Sequence, residues 1–426
     1  MSVVFESYSF SQVNKLEFAQ AVEIKGFMKA VRKPGFAVEF LSSCENDSYN
    51  YFPSIDGSGK ALCYASHTLD NVNLLFFYDL PRGENFLVIQ NTMFVSAIFF
   101  PDRDILIYGS KDEVYYRDIL NSSAKIVFEL MKGADLELPK NYYICNGYPR
   151  PYHYFYDHMP TILKALKKNS AVSVVTYGDI AFFSGSEIEK LSGAGCFFDA
   201  QCVDDRSVIV FPGLERKYAP DEKVSELKSS LLSCSNGVLG KAPEVNADFY
   251  LWVGVCSEKR VIVNLLEAIS FVIDSAIKKY EKIVVFCDGM TRPVSVDRDK
   301  FRDAFCQSEV DMVNELSSCY PGVEVVDLVG AKATDKIECA RVVDYFFSNA
   351  LTDSIWCSTF FDKPGLAYCS PRAELSLFCH KNTSILSFKG VSSKKEGANF
   401  AYDDLLLNIS EIGSSLSFRG IDSHVS

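Results

Sequence analysis

The chain reads as an α/β protein in which a β-rich N-terminal part precedes two domains built on parallel sheets, facing one another across a cleft. Three observations predict it. Strand-like and helix-like runs alternate regularly over 248–390, the rhythm of an open parallel sheet. A shorter version of that rhythm occupies 140–215, and a turn-rich stretch over 216–247 separates the two. At 426 residues the chain also exceeds what one ordinary core holds. The predicted divisions are 1–140, a β-rich part packed on the first domain; 141–240, the first α/β domain; 241–390, the second; and 391–426, a tail with a helix.

Short apolar runs predict the N-terminal strands: Phe36–Phe40, Ala61–Ala65, Val72–Tyr78, Phe86–Gln90, Met93–Phe100 and Ile105–Tyr108, the last two parted by the turn tetrad Pro101-Asp-Arg-Asp104. Asp56-Gly-Ser-Gly-Lys60 has the look of a phosphate loop. No glycine stands five residues before Gly59, however, and Ala61 replaces the required Ser or Thr, so it is a turn. In the first α/β domain, strands are predicted at Tyr142–Cys145, Val172–Tyr177 and Ser207–Phe211, with helices at Thr161–Lys168 and Ser186–Leu191. Gly193-Ala-Gly195 follows a helix and lacks a third glycine, so it is no dinucleotide fingerprint. Glu222–Leu232 reads as one amphipathic helix.

In the second domain, strands are predicted at Phe249–Gly254, Lys282–Phe286, Val323–Asp327, Ser354–Cys357, Leu375–Cys379 and Ser384–Phe388. Helices are predicted at Leu265–Tyr280, Asp299–Ser318 and Asp335–Asn349, the last capped by Thr334 or Asp335. Asp297-Arg-Asp299 reads as a cap at a helix start rather than a metal motif. A soluble linker over Ser392–Gly397 and a final helix over Asp403–Ser415 complete the chain.

The formal net charge of −12 argues against a general nucleic-acid binder, which presents a basic face to phosphates. It leaves room for local basic pockets and for a peripheral membrane contact through a patch. The start Met-Ser-Val-Val-Phe-Glu-Ser-Tyr has no basic or long apolar leader, and no uninterrupted apolar window of about 18 residues occurs. The expected location is cytoplasmic, including the inner face of the membrane. The 14 cysteines form no C-x-x-C pair, so reduced buried thiols are expected, not disulfides or zinc.

Chemistry is expected first in Asn146-Gly-Tyr-Pro-Arg150-Pro-Tyr-His153-Tyr-Phe-Tyr-Asp157-His158-Met-Pro160, between a strand and a helix. His153, Asp157 and His158 are the candidate general bases, imidazole having an ordinary pKa of about 6.5. A helix starting near Tyr154 would put Asp157 in its first turn, where a carboxylate is favoured. Arg150 suits a carboxylate or phosphate, and Tyr152 lies beside it on the substrate side. His67, His380 and His424 have no such company and read as structural or surface residues.

The strand ends of the second domain supply a second set: Lys259 and Arg260, Asp288 and Arg292, Ser358, Thr359 and Lys363. In a parallel sheet Lys259, Arg260, Arg292 and Lys363 would share one edge, a local positive site for a diphosphate.

Arg150-Pro-Tyr-His153-Tyr-Phe-Tyr-Asp157-His158 resembles the His-aromatic…Asp/Glu motif of a group of inverting GT-B glycosyltransferases. The group includes O-linked N-acetylglucosaminyl- and xylosyltransferases and enzymes of bacterial surface polysaccharides. Leu251–Asn264 resembles the strand, basic loop and helix that begin their donor domain. The resemblance implies two Rossmann-like domains, a nucleotide-sugar donor in the second, a glycan or glycolipid acceptor facing the first-domain loop, and no metal or other cofactor. The glycine-rich His-Gly-Ala-Gly-Leu segment of that group has no counterpart; Ser348–Asp353 and Ser358–Gly365 stand there instead. Cys287-Asp288-Gly289 half-matches a motif of CMP-sugar enzymes, but no His-Pro pair occurs, which favours a UDP-sugar. Pyruvyl or phosphosugar transfer, and non-catalytic glycan binding, stand as alternatives.

Overall fold

The computed structural model describes residues 14–17, 21, 24–31, 35–42, 51–69, 72–91, 95–108, 113–132, 139, 141–203, 207–213, 220–235, 239–240, 246–256, 261–350, 353–373, 382–386, 389–397 and 403–418. It falls into two compact units. One comprises Met1–Tyr148, Phe155–Tyr177 and Ser192–Tyr218; the other comprises Pro149–Tyr154, Gly178–Leu191 and Ala219–Ser426.

The first unit opens with strands β1 (Asn14–Glu17), β2 (Tyr51–Pro53), β3 (Lys60–Leu69), β4 (Val72–Asp79), β5 (Glu84–Asn91), β6 (Val95–Phe100) and β7 (Ile105–Tyr108). They form a seven-stranded sheet in the order β1-β7-β6-β5-β4-β3-β2, a meander antiparallel throughout except for β1 beside β7. Both predicted turns form. Asp104 takes φ 50 after Pro101–Arg103, a left-handed geometry that a short polar side chain tolerates. In the β2–β3 turn, Ser58 N–H donates to Asp56 Oδ1 at 2.8 Å.

Phe36–Phe40 is not a strand but part of the helix Phe36–Ser42. Phe36, Ala37, Phe40 and Leu41 are all buried, and the Phe36 and Phe40 rings lie one turn apart at 5.6 Å. That spacing is helical, and the partial alternation of the run hid it. These rings join Phe27, Phe52, Phe77 and Phe86 in an aromatic core on one face of the sheet.

The first unit also holds a four-stranded parallel sheet of β8 (Asn141–Asn146), β9 (Ser173–Thr176), β10 (Cys196–Asp199) and β11 (Ser207–Val210), in the order β10-β9-β8-β11. Strand β10 is mostly exposed, which is why no apolar run announced it.

Strand β11 is an edge strand, and side chains of the seven-stranded sheet complete its outer ladder. Asn73 Nδ2 donates to Ile209 O at 2.6 Å, and Ser66 Oγ accepts from Ile209 N–H at 2.7 Å. Gln90 grips Phe211 twice, donating to its carbonyl at 2.8 Å and accepting from its N–H at 3.0 Å. Alternate residues 207, 209 and 211 are the ones met, as the pleat requires. Gln90→Leu orphans both buried backbone groups of Phe211. It is expected to lower stability by about 2–4 kcal/mol, read from the urea midpoint.

The second unit is built on β12 (Phe249–Gly254), β13 (Ile283–Asp288), β14 (Glu324–Asp327), β15 (Tyr345–Asn349), β16 (Gly365–Tyr368) and β17 (Thr383–Ile385). All are parallel, in the order β14-β13-β12-β15-β16-β17. Phe249, Leu251, Val253 and Val285 face the helix Leu265–Ile277 and its neighbours in one large core. Trp252 and Phe286 alternate to the opposite face, so these strands present apolar side chains on both faces.

Four readings of this unit change. Asp335–Asn349 is not one helix: Ala333–Val342 is helical, and β15 follows after only Val343 and Asp344, with no glycine or proline to mark the stop. Lys332, not Thr334 or Asp335, flanks its start, and no side chain caps it. Ser354–Cys357 is not a strand but leads into the wide helical stretch Ile355–Phe360, buried on every side, where periodicity cannot separate helix from strand. Asp299–Ser318 breaks at Cys306 into Arg298–Phe305 and Gln307–Cys319. Asp297 does cap the first of these, accepting from the N–H groups of Asp299 and Lys300 at 3.1 Å.

The tail is neither linker nor single helix. Strands β18 (Val391–Lys395) and β19 (Asp404–Leu407) pair antiparallel, and a helix spans Ile409–Ser415. Leu375–Cys379 lies outside the described residues.

Candidate functional site

Numbered by appearance in the chain, the six parallel strands run 3-2-1-4-5-6, the doubly wound order whose chain reverses direction between β12 and β15. In sheets of this order the connections leaving the two central strands run to opposite faces, and ligands bind in the crevice outside their carboxyl ends. Gly254 closes β12, and a Cβ there would stand 2.9 Å from the Cβ of Ser348 on β15, so the close approach excludes any larger residue. The connection from Val255 leads to Asn264 at the start of the helix Leu265–Ile277. Lys259 and Arg260, predicted on this connection, lie outside the described residues.

At the end of β13 stands a buried ion pair. Lys336 Nζ meets Asp288 Oδ1 at 2.6 Å, with the two side chains 0% and 1% exposed. The same ammonium donates to Gly289 O at 2.7 Å and to Thr291 Oγ1 at 2.9 Å, and lies 5.9 Å from the centre of the Trp356 ring. Burial pushes the Asp288 carboxyl up to about 6, against the pull of Lys336. Asp288 therefore holds the loop from beneath and does not present its carboxylate at the surface. Sequence reasoning missed Lys336. The only signal was a carboxylate ending a fully apolar strand, which demands a cation without naming it.

Arg292 is where the prediction placed it, in the loop that leaves the carboxyl end of β13. Its Nη1 donates to Val296 O at 2.5 Å and its backbone N–H to Ala331 O at 3.3 Å. Burial lowers its pKa, with Asp335 opposing the shift. Two further cations, also unforeseen, stand at the end of β14. Arg302 pairs with Asp327 at 2.7 Å, and Arg298 donates to the carbonyls of Asp327 and Val329.

Lys363 is a correction. It precedes β16, so it stands at the amino edge of the sheet, opposite to Arg292. Its Nζ donates to Arg341 O at 2.6 Å, and burial lowers its pKa. The error follows from the misread strand at 354–357. With β15 ending at Asn349, the connection has crossed the whole sheet by residue 363. Ser358 is also engaged, its hydroxyl donating to Ser354 O at 2.6 Å, and Thr359 is buried in the same stretch.

The histidine-bearing stretch is helical from Pro151 to Lys168, so Asp157 lies past the first turn, not within it. Its turn Tyr154–His158 is wide, of π type. Pro160 has no N–H to donate backwards and its ring crowds the carbonyl of Tyr156, so the turn ahead opens. Arg150 is exposed at the helix start. Tyr152 and His153 are half-buried, their rings edge to face at 5.3 Å. Tyr154 is buried, its hydroxyl accepting from Phe183 N–H at 2.9 Å. Asp157 and His158 are buried, the His158 ring 4.8 Å from that of Tyr148. Of the two histidines, only His153 keeps exposed surface.

Among the described residues, no group of three or more His, Cys, Asp or Glu is arranged to hold a metal ion, and no helix is long and apolar enough to cross a membrane.

No family model and no curated protein matches the sequence. Among solved structures, the chain is similar to the E. coli heptosyltransferase WaaC with ADP at 12% identity and a TM-score of 0.32, over 57% of this chain and 92% of that one. It is also similar to the S. aureus MnaA–UDP co-structure at 9% identity and a TM-score of 0.23, over 62% of this chain and 70% of that one. Likeness at this level carries no functional information on its own.

Proposed function

We propose that the chain is a glycosyltransferase that takes a nucleotide-sugar donor at the carboxyl edge of the six-stranded sheet and transfers the sugar to a hydroxyl of a glycan or glycolipid, in polysaccharide biosynthesis. The observation that carries this reading is the strand order β14-β13-β12-β15-β16-β17, with its switch point at Gly254 and Ser348 and the cationic residue Arg292 on the same edge. Two features speak against a dinucleotide cofactor. Gly254 is followed by Val-Cys-Ser-Glu-Lys-Arg and no glycine fingerprint. The acidic residue ending the second strand, which in such sites takes the ribose hydroxyls, is held by Lys336.

In this reading His153 accepts the proton of the acceptor hydroxyl as its oxygen bonds to the anomeric carbon, and the bond from that carbon to the diphosphate breaks. Lys259, Arg260 and Arg292 stabilise the charge that develops on the leaving diphosphate. Arg150 and Tyr152 contact the acceptor, and buried Asp157 and His158 hold the helix that carries His153. The cationic side chains take the part a metal plays elsewhere, so no cofactor is invoked. A UDP-sugar is the favoured donor.

Thermal denaturation with UDP, ADP, GDP and CMP tests this. A nucleoside diphosphate at about 100 times its Kd is expected to stabilise the fold by about 2.7 kcal/mol and raise the thermal midpoint, with CMP inert. No shift with any diphosphate overturns the reading.

A further inference from the structure

The C-terminal ribbon makes contacts that nothing in its sequence advertised. Strand β19 runs beside residues 261–264, the end of the connection that leaves β12 and the stretch that follows Arg260 directly. Val261 N–H donates to Asp404 Oδ1 at 3.0 Å, Leu405 N–H to Val261 O at 2.9 Å, and Val263 N–H to Leu405 O at 2.8 Å. Asn264 extends this ladder with its side chain, accepting from Leu407 N–H at 2.9 Å and donating to Leu407 O at 2.8 Å. Asn264 sits where a helix is usually capped, yet its side chain accepts no N–H of that helix; its oxygen serves Leu407, and its Nδ2 serves Leu407 O and, at 3.4 Å, Glu267 Oε2.

One residue earlier, Asp403 is fully buried and gathers four donors. The hydroxyl of Ser370 and Nε of Arg372 reach Oδ2, the latter at 3.0 Å; Nη2 of Arg372 and the N–H of Gly397 reach Oδ1, the latter at 2.9 Å. Arg372 also meets Glu396 at 3.5 Å, and its N–H donates to Ser370 Oγ at 3.1 Å. Ser370 and Arg372 follow the carboxyl end of β16. Adjacent residues of the ribbon thus hold the connections leaving β12 and β16, the strands on either side of β15. Arg372 chiefly, with Ser370 and Gly397, keeps the Asp403 carboxyl at about 2, so it stays charged across the working pH range.

We infer that the ribbon is a strap on the carboxyl edge of the sheet and that Asp403 is its positioning residue. By fixing Val261–Asn264 against Ser370–Arg372, it sets the backbone on both sides of the switch point where the donor diphosphate is proposed to sit. The inference rests on that donor reading. A bidentate Arg–carboxylate pair suits the task because it fixes orientation as well as distance.

The test uses the full chain with Asp403→Asn, which keeps the volume and removes the charge that Arg372 pairs with. Amide exchange at Val261, Val263, Leu405 and Leu407 is expected to quicken by about tenfold or more, with β13 unchanged. UDP affinity, by calorimetry, is expected to weaken by about tenfold. Glu396→Gln, at a carboxylate 66% exposed, is expected to match the wild type in both. Unchanged exchange at those four amides overturns the strap. Quickened exchange with unaltered UDP affinity overturns the positioning role. A wild-type chain that binds neither UDP, ADP nor GDP overturns the donor reading itself, and is told apart because it needs no variant. Should Asp403→Asn fail to fold, Arg372→Gln, at a side chain 37% exposed, is read in the same way.

Discussion

Lys336→Met is expected to destabilise the chain by about 3–5 kcal/mol, because it leaves the Asp288 carboxylate buried without its cation. Lys336 also satisfies Gly289 O and Thr291 Oγ1, so the loop leaving β13 loses its anchor with the charge. The effect has a pH signature. Asp288 has an ordinary value of 3.8 and stands at about 6 in the fold. With the folded value raised, its contribution to stability is fully present below about 4 and is lost as pH rises through about 6. Protonated Asp288 tolerates a methionine neighbour better than the carboxylate does. The penalty of Lys336→Met is therefore expected to be larger at pH 8 than at pH 5, measured from urea midpoints. Adding Asp288→Leu is expected to recover most of the loss, since apolar replacement of a whole buried pair is often neutral. A single variant as stable as wild type at pH 8 would show that the pair carries no charge.

His153→Ala is expected to lower kcat by about 10²–10⁴ with little change in KM for the donor, as for loss of a general base. His158→Ala should behave differently. It removes a buried ring packed against Tyr148, so the expected result is a stability loss of about 1–3 kcal/mol, with kcat per folded molecule largely kept. Transfer from the nucleotide sugar identified by the binding screen, measured below the melting range of both variants, separates the two. If His153→Ala transfers at the wild-type rate, the base lies elsewhere.

The second sheet was legible because its first strands are buried on both faces: Phe249–Gly254 and Ile283–Cys287 carry no charged residue, and alternation with helices fixes their direction. Legibility failed where a run was apolar but short. Ile355–Phe360 and Tyr345–Asn349 exchange the roles predicted for them, and local composition cannot separate a six-residue buried helix from a strand. That single exchange carried Lys363 to the wrong edge. Arg292 was placed correctly because the strand before it was. Lys336 and Asp403 were out of reach for another reason: each matters through a partner 48 or 31 positions away, Asp288 and Arg372, and pairing at that distance leaves no trace in a sequence window. The histidine stretch stands out in the sequence by its density of titratable groups, but burial, which sets His153 apart from His158, is a property of packing alone.

The amide side chains that cover β11 also constrain the order in which the chain is assembled. Asn73 and Gln90 face partners 136 and 121 residues downstream. A chain emerging from the ribosome can form the seven-stranded meander early, since consecutive strands from β2 to β7 are neighbours in it. Two polar amides on that early sheet then wait for Ile209 and Phe211, which arrive only after β8, β9 and β10 have been made. Premature closure of an apolar surface over those amides is costly, because their hydrogen bonds would go unmade. The same groups that fasten the finished unit thus keep its N-terminal sheet open to the one late strand that satisfies them, and folding of the unit is completed by its last strand.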